Sequence, residues 1–317
     1  MRHKFLALLG VAATLLGVYL LVRIFRKHDF AAILATAASV PVTDLLLAGF
    51  FTVASFACIA AIEMLGIVHC GRAVRIRRII ATAVGAIGIG HAVGLAALSS
   101  GAIRYRMYGR AGLDFVSTGK IVVFAGLTLV CGLATVGGMA LLWQAATLAP
   151  LVGLSPTLLR GVGTAALLLV GVYLVMCTYS TRRVLPLWKN ESIKVPRGNL
   201  AIAQVVLGSL NILCIGGVLY AALRSFVPVE YATAAALYVS SDITALTAHV
   251  PGGWGVLEYI VTSVLGEEHV LAGIVLYRAI YYLVPLGAGL VIFVGDELIG
   301  RRRTVQARHA GAMRRAV

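Results

Sequence analysis

Long apolar runs separated by short basic clusters dominate the chain. Six runs reach the roughly 20 mostly apolar residues that a bilayer crossing takes: Phe5–Phe25, Val42–Ile67, Ile121–Leu148, Gly161–Tyr179, Leu200–Leu223 and Val270–Val294. A stretch from Ile33 to Val40, ahead of Pro41, is too short to cross and is assigned to the interface. Two further apolar regions are interrupted. The first, Ile79 to Ile103, contains Gly85, Gly88, Gly90, Gly94 and Gly101, with His91 in its middle. The second, Val229 to Leu265, is broken at Pro251-Gly252-Gly253 and carries Asp242, His249 and Glu258.

The basic residues decide how these two regions sit. If each crossed once, Arg104, Arg106, Arg110 and Lys120 would face outward, as would the cluster from Arg182 to Arg197. That opposes the positive-inside rule. If both regions enter the bilayer, turn and leave on the side they came from, 21 of the 27 basic residues lie inside. Five lie outside, and Arg278 is left within the last span. The expected fold is therefore an all-α polytopic membrane helix bundle. It has about six full spans and two oppositely oriented re-entrant helical hairpins, at about 79–103 and 229–265. The whole of 1–317 forms one integral membrane domain with a basic tail at 298–317 and both termini cytoplasmic. Broken helices at matching places in oppositely oriented halves are the pattern of an inverted repeat with its site at the midplane, although the halves share no residue-level similarity. Non-helical backbone at that depth requires cover by protein or a water-filled cavity.

Composition agrees. The chain is 60% hydrophobic and 12% charged, with a mean hydropathy of +0.96, whereas soluble domains carry about 25% charged residues. A net charge of +15 would suggest nucleic acid in a soluble protein. Here the basic clusters flank apolar spans, so they point to topology and anionic lipid, and not to nucleic acid. The five cysteines show neither a CxxC nor a Cys/His metal spacing and are read as packing residues. Arg2-His3-Lys4 followed by Phe5–Val22 has the charge pattern of a signal peptide. The apolar run is long for one, and Ala35-Thr36-Ala37 lies far beyond it, so an uncleaved first helix is expected. No Walker loop, HExxH or GxSxG is present, which argues against an ATP-driven or hydrolytic activity. No cofactor and no metal site are expected.

The richest chemistry lies in Pro251-Gly252-Gly253-Trp254-Gly255-Val256-Leu257-Glu258. Pro251 lacks an N–H and the glycines free the backbone, so one half-helix ends and another begins near Trp254. The new N-terminus offers free N–H donors and a partial positive charge to a phosphate or carboxylate. Glu258 lies one turn further in. Arg278 lies inside a span, where it requires a partner, and Glu258 and Asp242 are the candidates. Such a pair either locks the bundle or is exchanged against a charged substrate. Gly101 to Arg110 places Arg104, Arg106 and Arg110 among Tyr105 and Tyr108, a pattern suited equally to a lipid phosphate and to plain interfacial anchoring. His91 and His249 are read as hydrogen-bonded packing residues, and Asp44 and Glu63 as reaching the interface.

Three stretches resemble the membrane domain of the lysyl-phosphatidylglycerol synthase/flippase proteins, the multiple peptide resistance factors. They are Ser100–Tyr108 with Gly112-Leu113, Pro251–Glu258, and Tyr277–Pro285 with Tyr281 and Tyr282. That resemblance implies a lipid translocase of the bacterial inner membrane, moving an aminoacylated or otherwise charged phospholipid between leaflets. The family's soluble aminoacyltransferase domain has no counterpart here, so a transporter is expected and not an enzyme. The substrate-binding set is then Arg104, Arg106, Tyr108, Asp242, Pro251, Gly252, Gly253, Trp254, Glu258, Arg278 and Tyr281. Phospholipid and membrane are the expected partners, and the reading admits a separate lipid-modifying enzyme and a homo-oligomer. The alternatives are a secondary transporter of a small anion, a membrane-embedded enzyme using Asp242, His249 and Glu258, and a non-transporting partner of a lipid-modifying enzyme.

Overall fold

The computed structural model describes residues 39–93, 96–180, 184–186, 192–248, 250, 253, 255–266 and 270–313. The first expected span and most of Ile33–Val40 lie outside these residues, as do His249, Pro251, Gly252 and Trp254.

The described chain is built from helices, in order α1 (Val42–His69), α2 (Ile76–Val93), α3 (Ala96–Gly109), α4 (Phe115–Trp143), α5 (Ala145–Val152) and α6 (Pro156–Tyr179). A small antiparallel pair, β1 (Val184–Pro186) and β2 (Ser192–Lys194), follows. Then come α7 (Gly198–Leu223), α8 (Tyr231–Thr247), α9 (Val256–Leu265), α10 (Val270–Arg278), a π-helical turn (Ala279–Leu283) and α11 (Val284–Met313). Five segments are long and apolar enough to cross a membrane: α1, α4, α6, α7 and the run Val270–Gly300. These are the five expected spans that fall within the described residues. The chain is thus an all-α polytopic membrane bundle.

Boundaries moved where capping groups overrode hydropathy. α4 begins at Phe115, six residues before the apolar run, because Asp114 caps it by accepting the Ser117 N–H at 3.2 Å. α6 begins at Pro156 behind the Ser155 cap, which accepts from the Leu158 N–H.

Small residues let the helices approach closely, the usual means of packing in lipid. A Cβ on Gly132 of α4 would lie 2.4 Å from the Gly208 carbonyl carbon of α7. A Cβ on Gly88 of α2 would lie 2.3 Å from the Pro285 oxygen of α11. The glycines of the first hairpin therefore serve helix packing as well as the break. Buried polar groups add links: the Ser55 hydroxyl of α1 donates to Asn211 of α7 at 2.7 Å, and Gln204 of α7 meets Tyr173 of α6 and Thr128 of α4.

Side-chain pairs fix the level of each hairpin. Arg78 at the start of α2 and Arg110 just past the end of α3 both bind Asp296 of α11. The α2–α3 hairpin thus begins and ends on one side of the bundle. On the opposite side, Asp44 at the start of α1 binds Arg224 and Ser225 beyond the end of α7. Gly273, in the first turn of α10, packs on Ala222 and Leu223 at that same end. The α8–α9 hairpin, between α7 and α10, accordingly begins and ends on that opposite side. The two hairpins are re-entrant and oppositely oriented.

Candidate functional site

The break in the second hairpin faces α10. Gly253 (φ 61°) and Gly255 (φ 84°) hold left-handed backbone, which turns the chain into α9. Gly255 is the N-cap of α9, and its N–H donates to Oε2 of Glu258 at 2.9 Å. The same carboxylate takes a bidentate pair from Arg278, with Nε donating to Oε1 at 2.8 Å and Nη2 to Oε2 at 2.9 Å. Arg278 Nη2 also reaches the Gly253 carbonyl at 3.4 Å. The half-helix N-terminus expected to receive an anion therefore holds one already, the protein's own Glu258. Arg278 is buried at 6% side-chain exposure, whereas Glu258 keeps 27%. The carboxylate is the accessible half of the pair.

The π turn follows Arg278 at once and carries Tyr281 and Tyr282. Such turns are rare and concentrate at functional sites. The Arg278 guanidinium lies 5.6 Å from the Tyr282 ring centroid, and the His91 ring of α2 lies 5.6 Å from the same ring. Tyr281 is fully buried, stacked on Tyr277, and its hydroxyl shares a 2.9 Å hydrogen bond with Ser55. It ties the turn to α1 and does not face the carboxylate. Asp242 of α8 is half-buried and lies one turn before Ala245, which abuts Gly253 of the break.

The arginines of the first hairpin stand elsewhere. Arg104 donates from Nε to Glu63 of α1 at 2.5 Å, and the Tyr108 hydroxyl donates to the other oxygen at 2.9 Å. All three are buried, with Glu63 wholly so. Arg106 binds Glu297 at 2.6 Å, and Arg110 joins Asp296 and Glu297. The expectation that Arg104, Arg106 and Tyr108 hold a lipid phosphate meets a structure in which each already donates to a carboxylate of the protein. The structure brings together Gly253, Glu258, Arg278 and Tyr282, with Asp242 on the neighbouring α8, and it sets Arg104, Arg106 and Tyr108 apart from them.

Glu63, Asp296 and Glu297 are the residues whose roles the linear sequence concealed. Spacing held a usable signal. Residues four apart share a helix face and residues two apart do not. Arg104 with Tyr108 forms one such pair and converges on Glu63, while Arg106 with Arg110 forms another and converges on Glu297.

Among the described residues, no group of three or more His, Cys, Asp or Glu side chains could hold a metal ion. Outside the spans, Asp114 has its carboxyl held below the ordinary carboxylate range, chiefly by its hydrogen bond from Ser117.

Fold and site together define a polytopic α-helical membrane protein with two opposed re-entrant hairpins, one of them closed over a buried ion pair. No family model matches the sequence. The chain is 28% identical over 219 residues to slr0712 of Synechocystis sp., a protein of uncharacterized function, covering 68% of this chain and 67% of that one. It is 26% identical over 216 residues to the inner membrane protein YbhN of Escherichia coli, covering 67% of this chain and 66% of that one. The matched segment thus spans about two thirds of each relative.

Proposed function

We propose that the protein is a lipid translocase of a bacterial inner membrane that passes a charged phospholipid headgroup through the space between its hairpins. The observation that carries this reading is the Glu258–Arg278 pair at the mouth of α9. A bidentate guanidinium and a helix N-terminus are both suited to a phosphate. Here an internal carboxylate occupies that place and remains partly accessible. An incoming phosphodiester displaces Glu258 from Arg278 and from the Gly255 N–H. When the headgroup leaves, Glu258 returns. This exchange spares Arg278 an unpaired state at membrane depth, which would cost several kcal/mol. Acyl chains remain in lipid throughout, so no wide pore is needed. The partners in this reading are the phospholipid and the surrounding membrane.

The resemblance to the multiple peptide resistance factors supports an aminoacylated phosphatidylglycerol as substrate, and the match to an inner membrane protein supports the location. The chemistry of the site itself asks only for a phosphodiester. The test is leaflet exchange in liposomes containing the purified protein, with fluorescent phosphatidylglycerol, its lysyl ester and phosphatidylcholine as probes. Wild type accelerates exchange of at least one anionic or aminoacylated probe, and Arg278→Ala, retained as folded protein, does not. Exchange at the empty-liposome rate for all three probes would overturn the reading.

A further inference from the structure

Most carboxylates among the described residues are held by arginines. Glu63 is held by Arg104 and Tyr108, and Glu258 by Arg278. Asp296 and Glu297 are held by the arginines of the first hairpin. Asp242 differs. It lies eleven residues into α8, about 17 Å along the helix axis at 1.5 Å per residue. Among the described residues it makes neither an ion pair nor a hydrogen bond. A carboxylate at that depth must be paired, hydrated or protonated.

Its surroundings point to protonation. Tyr238 lies one turn before it on α8 and packs in one core cluster with Tyr277 and Tyr281, and Ala245, one turn after it, abuts Gly253 of the break. Tyr282 of the π turn packs against Tyr277 and His91 of α2, and α7 contributes Cys214. α4 meets α8 with Gly137 against Val239 and Ile243, and it brings no titratable group there. From α9 the nearest charged group is Glu258. Among the described residues the cation against these rings is Arg278, whose guanidinium lies 5.6 Å from the Tyr282 centroid and is held by Glu258 and the Gly253 carbonyl.

We infer that Asp242 is a proton-binding site that couples opening of the Glu258–Arg278 pair to the proton gradient; the coupling, though not the site, rests on the translocase reading. With Asp242 neutral, Arg278 stays on Glu258 and the second hairpin is closed. When Asp242 gives its proton to water, an unpaired anion forms one turn from Ala245 and the break it abuts. Arg278 is then drawn toward it, and Glu258 and the α9 N-terminus come free. Uptake of a proton from the other side resets the pair. One proton moves per cycle and no further reactant is required. The π turn and the left-handed glycines at 253 and 255 supply the backbone that shifts.

The test has two arms. Difference infrared spectroscopy of the wild type and Asp242→Asn in lipid nanodiscs follows the protonated-carboxyl stretch through a pH titration. Leaflet exchange of labelled phosphatidylglycerol is then measured with and without an imposed pH gradient. The proposal expects a titrating band in the wild type that is missing from Asp242→Asn. It also expects a wild-type exchange rate that changes at least threefold with the gradient, against a ratio near one for the variant. A band that survives in Asp242→Asn, or an unchanged gradient response in the variant, overturns it. So does a band that responds to added alkylammonium and not to pH, which would make Asp242 a cation subsite. A wild type that exchanges no lipid under either condition rejects the translocase reading, and the infrared titration alone then decides the proton site.

Discussion

The two hairpins are built alike and charged oppositely. Between Ile76 and Arg110 the first carries five arginines and no acidic residue. Between Val229 and Leu265 the second carries Glu230, Asp242 and Glu258 and no Lys or Arg. Each therefore finds its counter-charges on other helices, but the counts differ. The first is fastened at both ends, by Glu63 in the interior and by Asp296 and Glu297 at the surface. Among the described residues the second has one ion pair, Glu258–Arg278, next to two left-handed glycines and a π turn. The difference assigns them different tasks. In the proposed translocase, the hairpin pinned at several points is the fixed wall, and the one with a single ion pair among the described residues is the part that opens.

Breaking the wall has the largest expected effect. Arg104→Ala strands the fully buried Glu63, which costs about 3–5 kcal/mol when a buried pair loses one partner. The outcome is loss of monodisperse protein, or a sharply lower unfolding temperature in detergent. Glu258→Gln sharpens the contrast. It takes the counter-charge from the buried Arg278 but keeps an acceptor oxygen at a partly exposed position, a cost of roughly 2–3 kcal/mol, so the variant purifies folded while its exchange rate falls at least tenfold in liposomes. Arg106→Ala removes one of several half-buried contacts to Glu297, which leaves Arg110 in place. About 1 kcal/mol or less is expected, visible as a small shift in unfolding temperature that high salt erases. The smallest effect is that of Asp114→Asn. Asn caps a helix as well as Asp, so stability at neutral pH is unchanged. The Asp114 carboxyl is held below its ordinary range, so its contribution is present above the unfolded value and is lost as pH falls through the folded one. The acid limb of a stability–pH profile is therefore flatter in the variant.

Much of this was legible in the sequence. Hydropathy located the spans, because a bilayer demands long apolar runs, and the distribution of 27 basic residues separated re-entrant hairpins from simple passes. The Pro-Gly-Gly break pointed to a half-helix start, and the cost of an intramembrane arginine pointed from Arg278 to Glu258 or Asp242, of which the structure pairs it with Glu258. The partners of the other arginines stayed hidden. Glu63 and Arg104 are 41 positions apart and Arg106 and Glu297 are 191 apart, and no local pattern encodes such a meeting. Glu63 lies far enough into the last turns of α1 to read as an interfacial acid, yet the end of α3 covers it completely. The π turn was equally silent, since Ala279–Leu283 reads as ordinary apolar helix.

The most direct test of the account is charge reversal of the site pair. The double variant Glu258→Arg with Arg278→Glu keeps opposite charges facing each other but moves the guanidinium from α10 to α9, where it meets the positive helix N-terminus. Leaflet exchange of labelled phosphatidylglycerol and its lysyl ester is measured beside the wild type and both single variants, with unfolding temperature as the control. The account predicts that the double variant is more stable than either single variant and still fails to accelerate exchange, because the phosphate site is lost. Wild-type exchange by the reversed pair would show that Glu258 and Arg278 only hold the bundle together, and would contradict the account.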